Sequence, residues 1–359
     1  MRLACALLAA ALLGALAPGA TGAPAQTITV SVSGDLLVHE AVWRQAQAYG
    51  GARGFDFRPM FRRIRPLIAG ADLSICHVET PLTAKPATFF PVFSTPLALA
   101  PAIRRAGWDA CSTASNHTLD QGPDGIASTL RALDAAGVEH TGSARSAHEA
   151  RRPLILETRS GVRVALLAYT QVTNGQVPEP AWRVNDIGVD ARPILAAARR
   201  ARAAGAQVVI VNVHWGVETQ AEPSAEQLAL ARALGRSPLI TAVVGQHAHV
   251  VQPIRWAGRA LVLFGEGNLL SGQGELKQFG LPKASQDGLI GLLRFRVPER
   301  GRASLTRIDY APVFVDHADY AVIPVGVDRS LPEYAASWAR TVDTLGRGPR
   351  YGPWTRLRP

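Results

Sequence analysis

Six residues in this chain have the types and surroundings to do chemistry together: Asp35, Glu79, Asn116, His214, His247 and His249. Each follows closely on a short apolar run. The runs are residues 28–33 before Gly34-Asp35, 73–76 before Glu79, 110–114 before Asn116-His117, 208–213 before His214, and 240–244 before Gly245-Gln246-His247-Ala248-His249. The carboxylates offer hard anionic oxygen, Asn116 a neutral amide oxygen and the imidazoles borderline nitrogen, a mixture that suits a metal centre. A bridging carboxylate flanked by histidine and asparagine is what a two-metal hydrolase needs, since such a cation pair activates a water and clamps the attacking and leaving oxygens. A lone histidine at a strand end is more often structural, and a lone Gly-Asp is usually a turn. The joint occurrence carries the reading.

The elements that must position these residues alternate between strand and helix. Short apolar runs read as buried strands, and open α/β sheets bind ligands beyond the carboxyl ends of their strands. Strands are predicted over residues 27–33, 71–76, 108–114, 207–213, 241–244 and 260–264, with a hairpin of 153–158 and 162–169 and a closing pair of 288–297 and 303–309. Helices are predicted over 59–69, 96–106, 123–136, 190–204, 224–234 and 330–345. Pro123 near the start and Gly137 past the end of one helix are favourable terminal residues, and Ser224 is an N-cap for another. The expected fold is a layered α/β sandwich with mixed β-sheets. Residues 80–95 and 269–286 are irregular, follow the expected rim, and are read as functional lids.

Residues 1–25 have an n-region with Arg2, an apolar stretch of 15 residues and small residues at a cleavage zone, so a signal peptide and a secreted, extracytoplasmic protein are expected. Fifteen apolar residues are too few to cross a bilayer comfortably. One large α/β domain is expected over 26–315, and a C-terminal helix with an Arg-rich tail over 316–359. After cleavage two cysteines remain, Cys76 and Cys111, either paired in an oxidising compartment or two buried thiols. A net charge of +10 favours anionic surfaces or polymers. Neither a nucleic-acid-binding motif nor a basic strand rich in aromatics is present, so no nucleic-acid partner is expected. Ser33 and Ser115 lack the His/Asp setting of a nucleophile.

Six motifs in order resemble the CapA family of capsule and poly-γ-glutamate biosynthesis proteins, whose fold is metallophosphoesterase-like, of the calcineurin type. They are Gly34-Asp35-Leu36-Leu37, Val78-Glu79-Thr80-Pro81-Leu82-Thr83, the run Ala114 to Gly122 around Asn116-His117, His214-Trp215-Gly216-Val217-Glu218, the run Gly245 to Gln252 around His247-Ala248-His249, and Phe264-Gly265-Glu266-Gly267-Asn268. The resemblance implies two divalent metal ions, of Mn, Zn or Fe. Asp35 and His249 would hold the first, Asn116, His214 and His247 the second, with Glu79 as the bridge. It makes His117 the candidate general acid, oriented by Asp120. Glu218 is a candidate for substrate binding or for supporting His214, and Asn268 for substrate binding. An anionic polymer or peptide is the expected substrate and a membrane-bound polymer synthase the expected partner. A non-catalytic polymer-binding or assembly component is the alternative. The chain departs from the pattern in three places. Leu36 and Leu37 follow Asp35, so the nearest histidine is His39, a ligand or a rim residue. His77 is an extra imidazole before Glu79, and Glu266 adds an acid near the rim.

Overall fold

A computed structural model describes residues 25–274, 280–299, 301–345 and 351–353. The expected signal peptide lies outside the described residues but for its last position, and so does most of the Arg-rich tail. Strands are numbered along the chain. Among the described residues, nine form one sheet: β1 (Gln26–Leu37), β2 (Leu73–Val78), β5 (Ala110–Ser112), β6 (Glu139–Thr141), β13 (Asn268–Ser271), β14 (Asp287–Val297), β15 (Ser304–Asp316), β16 (Ala321–Pro324) and β17 (Tyr351–Pro353). Six form a second: β7 (Leu154–Glu157), β8 (Arg163–Thr170), β9 (Val208–His214), β10 (Ala242–Gln246), β11 (Ile254–Ala257) and β12 (Ala260–Leu263). A two-stranded ribbon joins β3 (Leu82–Thr83) to β4 (Thr95–Pro96).

Side-chain alternation stacks the sheets face to face. Ile28, Val30 and Val32 of β1 meet Val208 and Ile210 of β9 in one apolar core, while Val209, Val211 and Val213 point the other way, onto helices Arg192–Ala203 and Ala225–Gly235. Helices Glu40–Gly50, Arg58–Phe61, Arg65–Ala69 and Leu99–Ala106 cover the far face of the first sheet. The result is an α/β/β/α sandwich, as expected. In the first sheet β1, β2, β5 and β6 run parallel, with β14 to β16 as an antiparallel extension; in the second β8, β9, β10 and β12 run parallel. The carboxyl ends of both parallel sets open on the same rim, where the ligand-type residues of β1 and β10 meet.

Several details differ from the expectation. The helix expected over 59–69 is two short helices, because Pro59 and Pro66 each occupy a first turn and Pro66 brings no N–H to continue the earlier one. Helix Glu40–Gly50 was not expected, and the irregular segment 269–286 contains most of β13 and a single turn, Lys283–Gln286. Cys76 and Cys111 are register partners on β2 and β5, with Cα atoms 4.4 Å apart, and form a disulfide. The expected boundary after residue 315 falls inside β15, and the helix Pro332–Leu345 packs on the same sheet, with Arg340 reaching Asp287 of β14.

Candidate metal centre

Close backbone approaches at the rim set the positions of the ligands. A Cβ at Gly34 would lie 2.1 Å from the Gly267 carbonyl oxygen, so only glycine lets β1 run beside residues 266–268. This contact places Asp35 opposite Asn268 of β13. Beyond β10 the chain turns through His247 and His249, both with left-handed backbone (φ 86° and 55°). Such conformations are costly for residues with a Cβ and collect at functional sites. Here the turn aims two imidazoles and the His247 N–H back toward Asp35.

Asp35, Glu79, His214, His247 and His249 are all buried and converge. The Asp35 Oδ2 atom accepts from the His247 backbone N–H at 3.2 Å and lies 3.1 Å from His249 Nδ1. His249 Nε2 is 3.6 Å from Glu79 Oε1, and His214 Nε2 is 3.9 Å from the same oxygen. His214 Nε2 is also 2.9 Å from Asn116 Oδ1. Glu79 therefore stands between an Asp35/His249 group and a His214/His247/Asn116 group, the bridging position. Ligand atoms of Asp35, Glu79 and His249 lie within 4.8 Å of one another, as do those of Glu79, His214 and His247.

The donor set fits divalent ions on an independent observation. Buried polar atoms are normally hydrogen-bonded, yet Asp35 Oδ1, both Glu79 carboxylate oxygens, His77 Nε2, His214 Nδ1 and His247 Nδ1 have no hydrogen-bond partner among the described residues. Cations would satisfy such a cluster. Burial pushes the His247 imidazole down to about 3 and that of His77 to about 4, and takes His214 well below the usual range, helped by the neighbouring His247. Neutral imidazoles are the form that binds metal. Burial also raises the carboxyl of Glu79, while His249, despite its burial, is held at about 9 by Glu79 and the hydrogen-bonded Asp35.

His117 and Asp120 are brought together as expected, with Nδ1 and Asp120 Oδ2 2.8 Å apart. The same carboxylate oxygen accepts the backbone N–H of Phe93 at 2.7 Å, and the Phe93 ring stands edge-on to His117. The irregular 80–95 segment is thereby pinned against the candidate acid. Glu218 is exposed, and its carboxylate is within 4.8 Å of ligand atoms of His247 and His249, at the mouth of the site. Asn268 is a correction. It is fully buried behind His249, with Oδ1 3.2 Å from His249 Nδ1 and its amide donating to the Ser285 carbonyl. Its amide group is taken up by protein partners, so it orients an imidazole instead of presenting itself at the surface. Among the described residues His39 joins none of the ligand clusters; its Nδ1 faces the Leu37 carbonyl and the Gly272 N–H, so it is a rim residue.

Sequence reasoning missed Gln246. Its amide donates to Glu266 Oε2 at 2.7 Å, beneath the ligand turn. Glu266 is fully buried, and burial raises its carboxyl well above the usual range. The signal was a glutamine ending an otherwise apolar buried strand.

Residues 29–273 match the family model described as Bacterial capsule synthesis protein PGA_cap. Capsule biosynthesis protein CapA of Bacillus anthracis is 24% identical over 258 residues, 69% of this chain and 61% of that protein. PGA biosynthesis protein CapA of Bacillus subtilis is 22% identical over 289 residues, 79% of this chain and 71% of that protein. The chain thus spans under two thirds of the Bacillus anthracis relative's length. Among solved structures, a novel phosphatase of Mycoplasma pneumoniae matches 81% of this chain and 94% of its own, with a TM-score of 0.51 at 14% identity, a likeness of fold.

Proposed function

Because the chain belongs to the bacterial capsule synthesis protein family PGA_cap, we propose that it is an exported, metal-dependent hydrolase that processes an anionic extracellular polymer such as poly-γ-glutamate. The observation that carries this reading is Glu79: a fully buried carboxylate with no hydrogen-bond partner among the described residues on either oxygen, between two groups of metal-type ligands. A carboxylate held for structure alone would be paired.

Asp35, Glu79 and His249 would hold one ion, and Glu79, Asn116, His214 and His247 the other. Two divalent ions, when bound, supply Lewis acidity to an amide or phosphoester bond and lower the pKa of a water. Asp120 fixes the Nδ1 side of His117, which leaves Nε2 to deliver a proton to the leaving group. Phe93 packs edge-to-face against the His117 ring and limits its rotation. Glu218 is exposed at the mouth, where its carboxylate would accept from the amide N–H groups of an incoming chain. The net charge of +10 draws a polyanion toward the protein.

The test is metal content and cleavage measured together on the full chain and on His214→Ala and His247→Ala, with poly-γ-glutamate and a chromogenic phosphodiester as substrates. The reading expects about two ions per chain by the two-metal scheme, lost in both variants together with cleavage. Polymer binding that survives in both variants, with no cleavage by either metal-loaded or metal-free protein, would replace it with an assembly role.

A further inference from the structure

Resting on the metal-centre reading above, we propose that His77 is itself a ligand, through Nε2, to the ion held by Asp35. His77 sits on β2 one residue before its end, and β2 pairs Asp35 with His77 in register. Its side chain is fully buried. The ring nitrogen Nδ1 is 2.7 Å from Ser112 Oγ. The Ser112 hydroxyl donates to the Cys76 carbonyl at 3.4 Å. With its proton on that carbonyl, the hydroxyl oxygen accepts the Nδ1–H of His77, the arrangement in which Nε2 presents a lone pair.

This lone pair faces Asp35 Oδ1 at 3.9 Å. The gap is too long for a hydrogen bond. Neither atom has a hydrogen-bond partner among the described residues. Two ligands bound at about 2.1 Å to one ion sit roughly 3 to 4 Å apart, which matches the gap. Ligand atoms of Asp35, His77 and His214 lie within 4.8 Å of one another, and the His77 and His214 ring centroids are 5.0 Å apart. The serine behind the ring plays the usual part of a hydrogen-bond partner that orients a ligating histidine. A purely structural histidine would have no reason to leave a buried nitrogen bare beside a bare carboxylate oxygen.

The experiment is a Co2+ titration of the chelator-treated full chain and of His77→Asn, read by affinity and by the visible absorption of the bound ion. Asparagine keeps an N–H for Ser112 and removes the second nitrogen. The expected result is at least about tenfold weaker binding of the first ion with an altered spectrum. A folded His77→Asn protein with the wild-type affinity and spectrum overturns the proposal. Should that variant not fold, 15N-histidine-labelled wild-type protein titrated with Zn2+ decides. His77 Nε2 is expected to move to a coordinated-nitrogen shift. An unmoved His77 beside shifted His214 and His247 overturns the assignment and leaves the metal centre standing, whereas a wild-type chain that takes up no ion overturns both.

Discussion

Two buried carboxylates in this molecule live under opposite conditions. Asp287, at the start of β14, is held by the Arg340 guanidinium through two hydrogen bonds of 2.7 and 2.8 Å, one to each oxygen. Glu79, beyond β2, is equally buried and has no hydrogen-bond partner on either oxygen. The first is a charge the fold has completed. The second is a charge the fold has positioned and left open, among imidazoles in the same state. A complete pair serves cohesion, and an open set costs stability that a bound cation returns.

The largest expected effect is in acid, on the metal-free protein. His39 and His247 are held at about 3 and His77 at about 4, against about 6.5 in an unfolded chain. The unfolded state binds more protons, so stability present above pH 6.5 is lost as pH falls from there toward 3. The slope is about 1.4 kcal/mol per pH unit for each imidazole involved. His249 acts in the opposite sense: held at about 9, it stabilises below 6.5, and that contribution fades as pH rises through 9. The buried carboxyls of Glu79 and Glu266, raised above the usual range, also take up protons before the unfolded chain does and offset part of the loss as pH falls toward 4.5. The lowered imidazoles, with His214 among them, outnumber these groups. Urea midpoints in the presence of a chelator should therefore fall between pH 6.5 and 4; a flat profile would break the contrast between the open site and the closed pair.

Next comes His117→Ala, expected to lower kcat by about 10²–10⁴-fold while metal content stays at the wild-type level. Loss of metal in this variant would move His117 from proton transfer into the ligand set. Adding ion at about 100 times its Kd should then stabilise the chain by about 2.7 kcal/mol per site, read as a rise in Tm that Glu79→Ala abolishes. Arg340→Ala, which strands Asp287, should cost about 2 kcal/mol in urea denaturation, below the usual figure for a buried pair because the arginine is one-third exposed. The smallest effect sharpens the comparison most. Glu79→Gln in the metal-free protein should cost less than about 1 kcal/mol above pH 9, where His249 carries no charge for Glu79 to hold, since no hydrogen bond is broken. A loss as large as that of Arg340→Ala would mean that Glu79 has a structural partner.

Much of the site was legible because each ligand follows a run of apolar residues that reads as a buried strand, and parallel strands deliver their carboxyl ends to one rim. The alternation of strand and helix likewise exposed the layers. What stayed hidden depended on direction and pairing. Asn268 lies in a motif that follows a strand, yet its orientation is set by β13 pairing with the tip of β1, a long-range contact with no local pattern. Residues 269–286 looked irregular because β13 is only four residues long and polar at both ends. His77 was legible as an extra imidazole, but its engagement with Asp35 depends on the β1/β2 register and on Ser112 from a third strand. Helix Glu40–Gly50 has few large apolar residues on its buried face, Val42 and Ala46 with Gly50 at the end, so periodicity gave little warning of it.

Asp35 meets His249 across a sequence separation of 214 residues. Contacts of such range form late, because the entropy of closing the long loop is paid before they return anything. A chain emerging from its amino end therefore presents Asp35 and Glu79 well before it has their partners. Until β10 and β13 dock, the two acids are separate carboxylates with little hold on any ion, so capture of metal reports the completed fold rather than guiding it.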